Sequence, residues 1–168
     1  MIALETIGSP IGPFAVATRG ETVLGAFFHK PGSDPADWIA RHYPGEEIER
    51  RDEPGSAAAS LLEAYFADPD TDFSGIELEM TGSAFEKRVW AVLREVPCRE
   101  TVSYGWIAHK VGQPEAAQAV GIAMGRNPIP VIVPCHRVVG ADGSLTGFGG
   151  GLERKQWLLD HEQGGRLL

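Results

Sequence analysis

Asn127-Pro128-Ile129-Pro130-Val131-Ile132-Val133-Pro134-Cys135-His136-Arg137-Val138-Val139 is the stretch on which the reading of this 168-residue chain turns. Its apolar centre, residues 129–133, predicts a short buried strand. A cysteine, a histidine and an arginine follow at once. Free cysteine has a pKa near ~8.5, so a thiol that acts at neutral pH needs a nearby histidine, a cluster of backbone amides or a positive field. Neighbouring side chains in extended chain point to opposite faces, so a water relay between Cys135 and His136 fits better than a direct bond. The residues alone leave two readings open. One is an activated thiol; the other is a small buried cysteine ahead of a surface histidine.

Upstream, Ser83-Ala84-Phe85-Glu86 has the form of a capping box, serine at the N-cap and glutamate three residues on. Phe85, Val89, Trp90, Leu93 and Val96 then recur at helical spacing until Pro97 stops the helix. Ser103 can cap a short helix over 104–111. Gly112-Gln113-Pro114 reads as a tight turn with proline placed to start a second helix over 114–124. Helix, three-residue turn, helix is the layout of a helix-turn-helix. The second helix holds Ala116, Ala117, Ala119, Gly121 and Ala123 and offers only Glu115 and Gln118 as long polar side chains. Reading base edges in the major groove calls for Arg, Asn or Gln making paired hydrogen bonds, so this helix suits close approach to a backbone, a minor groove or another helix. Downstream, 140–151 is a glycine-rich loop and 152–163 an amphipathic helix.

The half before residue 83 differs. Residues 14–18 and 22–28 read as a hairpin about Arg19-Gly20-Glu21. Residues 31–56 are rich in proline, glycine and charge, a loop or insertion with room for a short helix near Trp38. A helix over 56–67 ends at Asp68-Pro69, and 76–80 alternates as one more strand. This half carries five Lys/Arg against fifteen Asp/Glu, a net of −10; residues 83–168 carry ten against eight, a net of +2. The asymmetry fits either a division of labour between two domains, 1–82 and 83–168, or a plain acidic surface that keeps the protein soluble.

Composition bounds the rest. A chain of this length buries ~70% of its unfolded surface and needs no staple. Two cysteines are too few for a secreted disulfide scaffold or a thiolate zinc site. No apolar run reaches ~18 residues, and the N-terminus lacks the pattern of a signal peptide. The expectation is a soluble, cytoplasmic, monomeric protein with reduced thiols and no membrane partner. Cys98, between Pro97 and Arg99, reads as a turn residue.

The motif Asn127-Pro128 … Pro134-Cys135-His136-Arg137-Val138 resembles the O6-alkylguanine-DNA alkyltransferase family. Gly149-Gly150-Gly151-Leu152, Lys155, Trp157, Leu158, Leu159, His161 and Glu162 extend the resemblance. So do Phe85, Val89-Trp90, Ser103-Tyr104, Ala108 and Ala119-Val120-Gly121. It is strong over 83–163. It is weaker near the start, where Ser9-Pro10-Ile11-Gly12-Pro13 matches the family's N-terminal strand. The resemblance implies an α/β (α+β) fold, with a small N-terminal sheet-plus-helix domain and a mostly helical C-terminal domain that carries the helix-turn-helix. It implies direct reversal of alkylation damage in double-stranded DNA: Cys135 takes the O6-alkyl group of guanine irreversibly, once per molecule, with no cofactor. Glu162, His136 and a water would form the relay to Cys135, and Asn127 would brace the turn. Tyr104 would bond the flipped base, the Cys135 and Val138 carbonyls would accept from its amine, Met124 would line the pocket, and the loop Thr146-Gly147-Phe148-Gly149 would close over it, with Phe148 able to stack. Ser103, Gly121, Arg126 and Arg137 complete the expected substrate and DNA contacts.

The chain departs from the family in three places. Gln118 stands where an arginine finger is usual; glutamine fills volume but brings no charge and less reach, and Glu115 adds negative charge one turn earlier. Weaker duplex binding with retained thiol chemistry is the expectation. Phe148 replaces a frequent tyrosine and keeps the stacking face. The ligands of the human member's structural zinc are missing, so no metal is expected. The alternatives are a sensor that binds alkylated guanine without repairing it, or a low-activity variant. A helix-turn-helix regulator and a cysteine hydrolase explain fewer of the residues.

Overall fold

Side-chain alternation builds the first of two units. Along β1 (Ile2–Ile7), Ile2 and Leu4 enter a core that also holds Ala15, Ala17, Leu24, Ile39 and Tyr43, while Glu5 faces the chain that starts α2. β2 (Phe14–Arg19) and β3 (Thr22–Phe28) add antiparallel strands, and β4 (Ile48–Arg51) pairs parallel to β1, giving the order β3-β2-β1-β4. Between β3 and β4 lies α1 (Pro35–His42), started by the Asp34 side chain on the Ala36 N–H and by proline at its first position. After β4 comes α2 (Ala57–Ala67), capped by Ser56. The computed structural model describes residues 1–164; residues 165–168, included in the second expected domain, lie outside them. The chain divides into two compact units, Met1–Thr81 and Gly82–Leu168.

The second unit is mostly helical. Its α3 (Ala84–Arg94) has the full capping box and buries Val89, Trp90 and Leu93. The Trp90 indole donates to the Ala123 carbonyl at 2.9 Å and so ties α3 to α5 (Ala117–Gly125). Between them are β5 (Val102–Ser103) and α4 (Tyr104–Lys110), whose N-cap is Ser103. Then come a single 3-10 turn (Cys135–Arg137), β6 (Val138–Val139) and α6 (Leu152–Glu162). β5 and β6 pair in parallel and bring the start of α4 beside the residues that follow Cys135. The fold class is α+β. Among the described residues no helix is long and apolar enough to cross a membrane.

Five expectations need correction. Ile129 and residues 131–133 are buried, yet 129–133 form no strand: Pro130 has no N–H, Val131 sits at φ 76°, and the Val133 N–H turns back to the Ile129 carbonyl at 2.9 Å. The second helix of the pair starts at Ala117, not Pro114. The Ala116 N–H closes a turn on Gln113, so a six-residue connection joins α4 to α5, with Gly112 at φ 80°. Residues 76–80 touch β3 only at Val23 and leave it after one bridge. The segment 31–56 holds β4, whose sequence Ile-Glu-Arg-Arg lacks apolar alternation and is set by pairing with β1. Residues 9–13 are a turn, because two prolines and Gly12 at φ 100° cannot continue a ladder.

Candidate active site

Pro134 leads into the 3-10 turn that begins at Cys135, and the turn, not an extended strand, sets the directions of Cys135 and His136. Cys135 is 8% exposed and lines a cavity of about 320 Å3 together with Tyr104, Gly121, Met124, Phe148 and Gly149. That volume lies in the range of small-molecule sites. Tyr104 opens α4 and lies across α5: a Cβ added at Gly121 would come within 3.9 Å of its ring.

His136 is fully buried. Its Nε2 lies 2.7 Å from Oε2 of Glu162, itself 1% exposed. Burial alone would raise the Glu162 pKa, but hydrogen bonds from His136 and Arg137 hold it well below the usual carboxylate range. An ionised carboxylate only accepts, so Nε2 carries the proton. Burial lowers the His136 pKa in spite of Glu162, which makes the ring neutral at pH 7. Nδ1 is then an unprotonated acceptor, buried and without a protein partner. It is the one ring atom free to take a proton.

Arg137, expected as a DNA contact, turns inward. It forks Glu162 through Nε at 2.8 Å and Nη2 at 2.9 Å, and Nη1 donates to the Val96 carbonyl at 2.6 Å. Asn127 donates through Nδ2 to the Val133 carbonyl and accepts the Ile129 N–H, both at 2.9 Å, which holds the segment before Cys135 in shape. Burial pushes the Cys135 thiol up to about 11, with the Asn127 amide and the Lys155 charge opposing the shift.

Lys155 had a place in the sequence pattern but no assigned role. It is fully buried and donates through Nζ to the Val138 carbonyl at 2.6 Å and to the Thr146 carbonyl at 3.3 Å. Its signal in the sequence is a charge on the face of α6 that also buries Leu158, Leu159 and Glu162. The Val138 carbonyl is thus already engaged, and the Cys135 carbonyl accepts the Val138 N–H. Ser103 spends its hydroxyl on the Trp106 N–H at 3.0 Å. Arg126 is exposed and pairs with Glu86 at 3.3 Å. Gln118 is exposed in the first turn of α5, outside the cavity lining.

The site places a buried thiol on the wall of a cavity of small-molecule size, with a neutral, carboxylate-bound imidazole next to it in the chain. Residues 84–164 match the family model described as 6-O-methylguanine DNA methyltransferase, DNA binding domain. The chain is 44% identical over 163 residues to a methylated-DNA–protein-cysteine methyltransferase of Mycobacterium bovis, covering 97% of this chain and 93% of the relative. It is similar to the crystal structure of Mycobacterium tuberculosis O6-methylguanine methyltransferase, with TM-score 0.83, 42% identity, and coverage of 99% and 96% of the two chains. It is similar also to Mycobacterium tuberculosis OGT in complex with DNA, with TM-score 0.81, 42% identity, and coverage of 96% and 93%.

Proposed function

Because the chain belongs to the methylated-DNA–protein-cysteine methyltransferase family, we infer that it reverses O6-alkylation of guanine in DNA by moving the alkyl group onto Cys135. The observation that carries this reading is the Cys135 side chain on the wall of a cavity, beside a neutral imidazole whose tautomer a buried carboxylate fixes.

A thiol with a pKa of about 11 is ionised in about one molecule in ten thousand at pH 7. Attack therefore needs a base at the moment of reaction. His136 Nδ1 takes the thiol proton through a water, and Glu162 steadies the imidazolium that forms. The sulfur forms a bond to the alkyl carbon while the bond from that carbon to O6 breaks. The electron pair stays with guanine, which ends neutral after taking one proton on a ring nitrogen; the thiol has become a thioether. Nothing in this chemistry regenerates the thiol, so each molecule acts once. Asn127 holds the approach to Cys135, and no cofactor takes part.

A base inside a duplex cannot reach this cavity and must be flipped, at a cost of about a few kcal/mol. α4 and α5 act as the helix-turn-helix, and the outer face of α5, with Gln118, Ala119 and Ile122 exposed, lies against DNA. It bears no cation there, which supports weaker duplex binding than an arginine at 118 would give. Tyr104, Met124, Phe148 and Gly149 hold the flipped base. The sensor alternative is not favoured, since Cys135 lines the cavity. A thiol that must stay reduced to act fits the cytoplasm, and a site whose named residues all come from one chain fits a monomer.

The test is stoichiometry. Duplex carrying labelled O6-methylguanine in excess should lose one methyl per protein molecule and no more. Continued turnover would exclude the suicidal reaction, and no transfer would favour the sensor.

A further inference from the structure

We propose that Thr146 is a positioning residue that orients the Tyr104 hydroxyl into the cavity, linking it to the buried ammonium of Lys155. The proposal rests on the alkyl-transfer reading of the site. Thr146 lies on the loop between β6 and α6 and does not line the cavity. Its Oγ1 is 2.5 Å from the Tyr104 hydroxyl and, at longer range, 3.5 Å from Lys155 Nζ.

The Lys155 end of this chain has a direction fixed by what the ammonium can do. An ammonium has three N–H donors and no acceptor. Two of its contacts, the Val138 and Thr146 carbonyls, must accept. The third N–H faces Thr146 Oγ1, which accepts it. The hydroxyl pair admits either donor; the proposal assigns the proton between them to threonine, which leaves the Tyr104 proton to point at whatever occupies the cavity. Hydrogen bonds in series polarise one another, so a donor at the end of a chain that starts on a cation is stronger than an isolated phenol. The guest that suits such a donor is an acceptor whose electron density grows during the reaction. A ring nitrogen of the departing purine is such an atom, since the electron pair that O6 keeps when the carbon–oxygen bond breaks is delocalised onto the ring. Thr146 moves no proton of its own; it sets which way the Tyr104 hydroxyl points.

The experiment compares Thr146→Val, which keeps shape and removes the hydroxyl, with Thr146→Ser, which restores it. Two reactions of Cys135 are timed: methyl transfer from duplex containing O6-methylguanine, and alkylation by iodoacetamide, whose leaving group needs no donor from Tyr104. Thr146→Val should slow methyl transfer by roughly tenfold and leave iodoacetamide alkylation unchanged, and Thr146→Ser should restore most of the transfer rate. Added to Tyr104→Phe, which has no hydroxyl to orient, Thr146→Val should cause no further loss. Wild-type transfer by Thr146→Val, equal losses in both reactions, or losses that multiply in the double variant would overturn the relay and leave alkyl transfer standing. Wild-type protein that transfers no methyl would overturn the alkyl-transfer reading itself.

Discussion

The two units of this chain spend charge in opposite ways. In Met1–Thr81 the ion pairs are at the surface: Arg50 with Asp34, Arg51 with Glu49, and Arg19 with Glu46. Among its described residues Glu5 is the one fully buried charge, and it accepts the Ser56 N–H at the start of α2. In Gly82–Leu168, His136, Lys155 and Glu162 are all at or below 1% exposed; Lys155 opposes the rise of the Cys135 pKa, and Glu162 fixes the tautomer of His136, the next residue in the chain. Burying a charge costs several kcal/mol unless it is well paired, so a unit that buries two charges and a neutral imidazole around one thiol is built for that thiol. The first unit follows ordinary rules of solubility and packing; the second departs from them where the chemistry is.

The sharpest way to break this contrast is to remove the base. His136→Asn should slow methyl transfer by about 10²- to 10⁴-fold, measured as single-turnover repair of duplex containing O6-methylguanine. A rate near wild type would show that the buried imidazole takes no part. Lys155→Met should follow in size. It leaves two carbonyls without their charged donor, and unfolding by urea should show a loss of about 2–3 kcal/mol. Its counterpart, Arg50→Met in the first unit, should leave both the melting temperature and methyl transfer unchanged, because that ion pair is exposed. Equal effects at the two positions would erase the distinction.

The pH dependence of stability is a smaller effect with a defined sign. His136 has a lowered pKa when folded, so the unfolded chain binds its proton more readily and stability falls as pH drops below about 6.5. Glu162 is held low in the fold, and its contribution is lost in turn below about pH 4.5. Urea midpoints at pH 7.5 and 5.5 should differ in wild type and differ less in His136→Asn. A flat profile across that window would contradict the burial argument. Smallest is Gln118→Arg, which should tighten binding to duplex and steepen the salt dependence by about one counterion. Unchanged binding would remove position 118 from the DNA-facing surface.

What the sequence disclosed, it disclosed through local rules. The Ser83 and Glu86 capping box, the Trp90 stripe and the hairpin about Gly20 are short-range patterns, and the structure has them. The Cys135 neighbourhood was legible because a cysteine, histidine and arginine after Pro134 form a specific motif. Tertiary pairing was not legible. β4 exists because β1 offers its edge, and nothing in Ile-Glu-Arg-Arg announces that. The run 129–133 has the apolar content of a strand, but Pro130 and the left-handed Val131 make it a folded lead into the turn. Arg137 read as a substrate or DNA contact through the family resemblance; its inward fork on Glu162 depends on a helix 25 residues away in sequence. Lys155 and Thr146 stood in the sequence pattern and the closing loop, but what their side chains do was hidden for the same reason. Their roles lie in partners that only the fold brings together.

The central claim, that Cys135 is the acceptor atom, is tested most directly by peptide mass analysis after mixing the protein with duplex DNA containing O6-methylguanine. The account predicts a gain of one methyl mass on the peptide that holds Cys135, none on the peptide that holds Cys98, and none anywhere in Cys135→Ser. A methyl group elsewhere, or repaired DNA with unmodified Cys135, would contradict it.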